Sequence, residues 1–317
     1  LTILFLMTVA PFSGICGDKV YKIGMATIAT HPALDATRQG FIDEMAEHGF
    51  VDGKNVIYEK DNAEGDMSLA TTICKKYVSQ KKDMIVATTT PIVQACFAAA
   101  KRTNINIVFN AVTDPAAAKV VESWEKPGGN VTGASDWMDV GAQVGLMIEI
   151  VPSIKSVGVI YNTAEVNSRV QVAELEKAAP GLGIKVVKVG VSSTADVLMT
   201  AKSLVGRVDS FWFPTDNIVV AALEAVVKVG EDNNIPIFGS DPAHPKRGVI
   251  AASGVSMYDV GRSSGKMAAA ILNGADPGSI AVTKGVMSKM TINLKAASRM
   301  GVIVPQSVID KATEVIR

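Results

Sequence analysis

Two hydrophobic patterns alternate along most of the chain. Short, β-branched apolar runs end in Thr, Asn, Asp or Gly, and longer amphipathic runs follow them. Tyr21-Lys-Ile-Gly-Met-Ala-Thr27 predicts a first strand, and a helix is expected from about Ala33 to His48, stopped by Gly49. Further strands are predicted at Val56–Asp61, Met84–Thr88 and Ile105–Phe109, with helices over about Met67–Ser79 and from near Pro91. The second half repeats the alternation. Strands are expected at Val157–Tyr161, Ile184–Val189, Ser210–Phe213, Ile235–Phe238 and Gly248–Ala251. Helices are expected near 164–179, 195–205 and 219–233. The tail predicts a helix near Tyr258–Leu272 and a last strand–helix pair within Lys289–Ile316. Strands alternating with helices of this size argue for an α/β fold, with parallel sheets covered on both faces. Two sheets of about five strands fit 317 residues better than one of ten. The alternation breaks at Glu125-Lys-Pro-Gly-Gly-Asn-Val-Thr-Gly133, and 130–135 reads as a crossing between two lobes.

Composition narrows the function. Lys plus Arg number 31 and Asp plus Glu 31, so there is no net positive charge to displace counterions from a nucleic acid. A hydrophobic fraction of 48% excludes a disordered chain. Three Cys in this length exclude a disulfide-stapled miniprotein. Cys74 and Cys96 fall on neighbouring predicted helices, and either a disulfide or buried free thiols would suit them. Leu1–Phe12 is apolar but shorter than the roughly twenty residues of a membrane span. It fits the core of an export signal over 1–17, so the protein is expected outside the cytoplasm. Lipid attachment at Cys16 is disfavoured by Ile15, which stands where a small residue is wanted.

Enzyme motifs are mostly missing. No G-x-G-x-x-G follows the first strand, there is no G-x-S-x-G elbow at a strand end, and there is no H-E-x-x-H or C-x-x-C. Gly261-Arg-Ser-Ser-Gly265-Lys266 is one residue too short for a phosphate loop and lies inside a predicted helix. Three scattered His make a metal site unexpected. No cofactor is expected.

Ligands of open parallel sheets bind beyond the carboxyl ends of the strands, at the switch in strand order. The polar strand tips are therefore the candidate site: Thr30 and His31, Thr89 and Thr90, Thr113 and Asp114, then Glu165, Asn167 and Ser168, Asp216 and Asn217, and Asp241. Thr88-Thr-Thr-Pro91 joins hydroxyls to a helix N-terminus, which suits a carboxylate or simply caps the helix. Asp216 suits a ligand ammonium or, equally, an N-cap. Phe109 and Trp137 would suit a ligand ring or the core.

Several stretches together resemble a known family. They are His31-Pro-Ala-Leu-Asp35, Gly53-Lys-Asn-Val56, Val112-Thr-Asp-Pro115, Pro127-Gly-Gly-Asn-Val-Thr-Gly133, Tyr161-Asn162 with Glu165-x-Asn-Ser168, Pro214-Thr-Asp-Asn217, and Ile292-Asn293. The chain resembles the substrate-binding component of a bacterial ABC importer, of the type I periplasmic class that holds tryptophan- and tyrosine-type binding proteins. The resemblance implies two doubly wound lobes joined by three crossing strands, 18–133 with about 256–284 and 134–255 with about 285–317. It implies a monomer that is not an enzyme, closes over a small ligand, and delivers it to a membrane permease. An aromatic amino acid is the expected ligand. Its carboxylate would meet Thr89 and Thr90 and its ammonium Asp216, with Glu165, Asn167 and Ser168 completing a polar shell. The competing readings are a sensor for a nucleoside or other small molecule, and a doubly wound enzyme.

Overall fold

A computed structural model describes residues 19–317. The expected leader over 1–17 and Cys16 lie outside the described residues. The chain runs β1 (Tyr21–Thr27), α1 (Pro32–Glu47), β2 (Val56–Asn62), α2 (Met67–Ser79), β3 (Met84–Thr88), α3 (Thr90–Ala100), β4 (Asn106–Asn110) and β5 (Val131–Ser135). It continues through α4 (Val140–Ile150), β6 (Ser156–Asn162), α5 (Val166–Ala178), β7 (Lys185–Val191), α6 (Thr194–Leu204) and β8 (Ser210–Phe213). Then come α7 (Asn217–Ala221), α8 (Leu223–Asn233), β9 (Ile237–Gly239) and β10 (Ala251–Val255). The tail adds α9 (Met257–Leu272), β11 (Thr283–Lys284), β12 (Met287–Asn293), α10 (Leu294–Arg299), α11 (Gln306–Ile309) and β13 (Glu314–Ile316).

Two sheets result. The first has the order β11-β5-β4-β3-β1-β2 with every neighbour parallel. The second has the order β13-β12-β10-β9-β8-β6-β7, parallel except where β12 runs against β10. The strand order reverses between β1 and β3 in one sheet and between β6 and β8 in the other. The chain passes between the sheets after β5, after β10 and after β11, which makes a three-stranded hinge.

Two differences from the sequence pattern matter. Val131–Ser135 is a buried strand of the first sheet, and the crossing begins one residue later, at Asp136. The pattern marks no helix over α4, Val140-Gly-Ala-Gln-Val-Gly-Leu-Met-Ile-Glu-Ile150. That segment is apolar nearly all round, so it shows no stripe at helical spacing.

Each lobe has its own core. Phe211, Trp212 and Phe213 of β8 fill the second, where the Trp212 indole N–H donates to Gln143 Oε1 at 3.3 Å. Phe109 and Tyr77 pack one face of the first sheet, and Phe41 and Met45 the other. Cys74 of α2 and Cys96 of α3 are buried and disulfide-bonded, which decides between the two states the sequence leaves open. The Gly261-to-Gly265 segment is a packing surface. A Cβ on Gly261 would stand 2.0 Å from the Thr37 carbonyl oxygen, and one on Gly40 would stand 2.1 Å from that of Tyr258. Both glycines are needed for α1 and α9 to touch backbone to backbone.

Candidate ligand-binding site

Segments following β1, β3, β4 and β5 meet segments following β8 and β9 around one interlobe cavity of about 520 Å³. Its floor is the hinge itself, through Asp136 and Met138 of the first crossing and Val255 and Met257 of the second. The lobes touch beside it, where the Thr113 and Thr215 hydroxyls lie 3.3 Å apart.

The wall from the first lobe is strained and open. Thr89 has φ +86° and Ala111 has φ +51°, left-handed conformations at the tips of adjacent strands. A β-branched residue resists such a conformation, at a cost of about 1–3 kcal/mol. Bent this way, the Thr89 N–H donates to the Asn110 carbonyl at 3.0 Å, and α3 starts at once with Thr90-Pro91. The first amides of a helix have no partner within the helix, and its dipole favours an anion there. The Thr89 and Thr90 hydroxyls are both buried and unpartnered.

On the wall from the second lobe, the Asp216 carboxylate is closed on itself. Asp216 Oδ1 accepts from the Ile218 and Val219 amides at 3.1 and 2.9 Å, capping α7. Its Oδ2 accepts from the Asn162 amide at 2.5 Å and the Ser168 hydroxyl at 2.6 Å. A carboxylate offers about four lone-pair sites, and all four are used. Asp216 lines the cavity, but the expected ammonium role meets a carboxylate without spare acceptor capacity. Behind it, Glu165 Oε2 accepts from the Asn167 and Asn217 side chains at 2.9 and 2.5 Å. Burial, reinforced by facing Asp216, pushes the Glu165 carboxyl up; burial also raises Asp216.

Eight of the twelve residues chosen from sequence line the cavity: His31, Thr89, Thr90, Thr113, Asn167, Asp216, Asn217 and Asp241. The other four stand outside its wall. Thr30 is exposed and accepts from Asn62 Nδ2 at 2.7 Å. Asp114 caps the next turn through the Ala116 and Ala117 amides, both at 3.0 Å. Glu165 and Ser168 sit behind Asn217 and Asp216 as their hydrogen-bond partners. Neither expected aromatic faces the cavity. Phe109 is fully buried in the first core, and Trp137 packs edge-on against Trp124 at 6.4 Å beneath Lys284.

The cavity gathers unsatisfied polar atoms. Among the described residues, ten buried side-chain polar atoms lack a partner, and six belong to cavity-lining residues: Thr89, Thr90, Asp136, Asn167, Ser240 and His244. An orphaned buried group costs about 1–3 kcal/mol, so this concentration marks a surface made to receive polar atoms from a ligand. No Lys or Arg lines the cavity. Burial lowers His31 to about 4 and His244 to about 3, so both are neutral at physiological pH. Burial also raises Asp241, and pushes Asp136 up to about 6. Leu34, Val220 and the methionines 138 and 257 supply an aliphatic wall. Among the described residues, no three His, Cys, Asp or Glu side chains are placed to hold a metal ion.

Sequence reasoning missed Asp136, Met138, Ser240 and His244 as lining residues. Asp136 obeys the strand-tip rule once Val131–Ser135 is read as a strand. His244 lies beyond a strand tip in a short 3-10 turn, and its place depends on Gly239, where a Cβ would stand 2.5 Å from its ring nitrogen.

A family model described as ABC transporter substrate binding protein matches residues 22–316. The tyrosine-binding protein of Clostridioides difficile (strain R20291) is 39% identical over 275 residues, 87% of this chain and 79% of that protein. An ABC domain from Streptococcus pneumonia, solved in complex with L-Trp, is 34% identical, with a TM-score of 0.90 over 94% of this chain and 100% of that one. The ligand-free, open structure of a substrate binding protein with adhesive properties from Clostridium difficile is 37% identical. Its TM-score is 0.71, over 94% of this chain and 99% of that one.

Proposed function

The chain belongs to the ABC transporter substrate-binding proteins, and from that premise we propose that it captures a free α-amino acid, an aromatic one first, between its lobes and presents it to a membrane permease. The observation that carries this reading is the cluster of six buried, unpartnered polar atoms in one interlobe cavity that has an aliphatic wall. A zwitterion with an apolar side chain has the matching chemistry. Its carboxylate pairs with the Thr89 and Thr90 hydroxyls and the first amides of α3, and its side chain packs on Leu34, Val220 and the two methionines. The tyrosine-binding relative and the neighbour in complex with L-Trp support an aromatic side chain. The segments up to 135 with about 256–284, and 136–255 with about 285–317, are the units that close. The apolar Leu1–Phe12 stretch suits an export signal and supports work outside the cytoplasm, as is general for binding proteins of importers; among the described residues no helix is long and apolar enough to cross a membrane.

A thermal-shift screen of the twenty amino acids, a nucleoside set and common sugars tests the reading. A ligand at a hundredfold excess over its Kd stabilises the fold by about 2.7 kcal/mol, several degrees in Tm. L-Trp or L-Tyr is expected to give the largest shift. A screen in which a nucleoside or sugar shifts the Tm and no amino acid does overturns the reading.

A further inference from the structure

Asp136 is the first residue past β5, where the chain leaves the first lobe. The turn that carries it is pinned. The Trp137 amide donates to the Ser135 hydroxyl at 2.9 Å, and that hydroxyl donates to the Thr113 carbonyl at 3.0 Å. The Asp136 side chain is 4% exposed and lines the cavity, and its Oδ1 has no partner. A buried carboxylate in that state requires a cation or a proton. The protein supplies no cation there, because no Lys or Arg lines the cavity and burial keeps His31 and His244 neutral. The Thr113 hydroxyl and the Asp136 amide reach this carboxyl and leave Oδ1 as its free acceptor. All four positions on Asp216 are filled, and Asp241 Oδ1 already accepts from the Ala243 amide at 2.7 Å. Asp241 also repels Asp136, which leaves the hinge end of the cavity electronegative. The opposite charge preference is that of the N-terminus of α3, which lines the same cavity from the same lobe.

Resting on the amino-acid reading above, we infer that Asp136 accepts the ligand's ammonium group and is the residue that selects an α-amino acid over the same molecule without its amine. An ammonium bound there satisfies the orphaned oxygen with a charge-assisted hydrogen bond. A des-amino acid leaves that oxygen buried and unpaired, and adds a second anion to an acidic floor. Discrimination of this kind is large because the site's own polar group is stranded by the wrong ligand.

The test is calorimetric titration of L-tryptophan and of indole-3-propionate, which keeps the ring and carboxylate and lacks the amine. Wild type is expected to prefer L-tryptophan strongly. Asp136→Asn should weaken L-tryptophan by about 10- to 100-fold. It should leave indole-3-propionate level or tighten it, so the preference collapses. Asp241→Asn should keep most of the preference. An unchanged preference in Asp136→Asn overturns the inference, and so does an equal loss for both compounds, which would mean a structural role. Should Asp136→Asn lose its cooperative melt, Asp136→Ser carries the same comparison. Wild type that binds no amino acid removes the amino-acid reading and this inference together. Wild type that binds L-tryptophan, with the preference intact in the variants, removes this inference alone.

Discussion

The Thr89–Thr90 turn and the Asp216 network occupy equivalent places, each at a strand tip beside a switch point, yet they use their polar atoms in opposite ways. The Thr89 and Thr90 hydroxyls are buried without partners, on a backbone bent into a conformation that a threonine resists. Asp216, also fully buried, spends every acceptor site on Asn162, Ser168 and the first amides of α7. The Thr89–Thr90 turn is left unfinished for a ligand; the Asp216 carboxylate is saturated and holds its lobe together. Position in the fold is therefore a necessary mark of a binding residue, and unused hydrogen-bonding valence is the mark that separates binder from scaffold.

The largest test of this contrast is Asp216→Ala. It removes a helix cap and strands the Asn162 amide and the Ser168 hydroxyl, so urea unfolding should show a loss of about 3–4 kcal/mol. If stability holds and only affinity falls, the contrast is broken and Asp216 is a ligand residue after all.

Asp136→Asn should do the reverse. Burial raises the native-state value to about 6 from an ordinary 3.8, so ionisation opposes folding. The cost is absent below about pH 4, grows as pH rises through 6, and is complete above it. The variant should gain about 3 kcal/mol over wild type at pH 8 and nothing at pH 3.5. Parallel denaturation curves at the two pH values would sharpen the claim that cavity residues are retained at the expense of stability. A gain that does not depend on pH would show that the Asp136 charge is not what costs the fold.

The disulfide supports the open wall from behind, since Cys96 lies on the helix that begins at Thr90. Replacing both Cys74 and Cys96 by Ala should lower stability by about 3 kcal/mol, as expected for a loop of this length. Chemical denaturation of the double variant measures it; a loss under about 0.5 kcal/mol would show that α3 is held by packing alone.

Thr90→Val is the smallest change. It deletes an unpartnered buried hydroxyl, so stability should stay level or rise by up to about 1 kcal/mol, while amino-acid affinity falls about 5- to 10-fold. A drop in Tm with affinity intact would place Thr90 with the scaffold and erase the difference between the two walls.

Much of this was legible in the chain. The alternating runs disclosed strands and helices because a parallel strand covered on both faces reads as a short apolar block, and its covering helix as a stripe. Thr89 and Thr90 were legible because their chemistry and their place at the tip of β3 coincide. Asp136 was hidden by a boundary. Val131-Thr-Gly-Ala-Ser135 reads as an irregular crossing, since Gly133 and the preceding Pro–Gly cluster break the pattern. Gly133 is there because β4 passes so close that a Cβ would stand 2.2 Å from the Phe109 carbonyl oxygen. That requirement belongs to a strand lying dozens of residues earlier in the chain.

By itself the sequence determined the α/β class, the pairing of two similar lobes, the family, and the strand tips as the candidate site, because local apolar periodicity and local motifs carry all four. Only the tertiary structure decided which tip residues keep atoms free for a ligand. The donors that silence Asp216 come from Asn162 and Ser168, some fifty residues away, and the cavity into which Asp136 turns its free Oδ1 is lined by residues of both lobes. Hydrogen-bonding valence is spent between residues brought together by folding, and no local window of sequence records how it is spent.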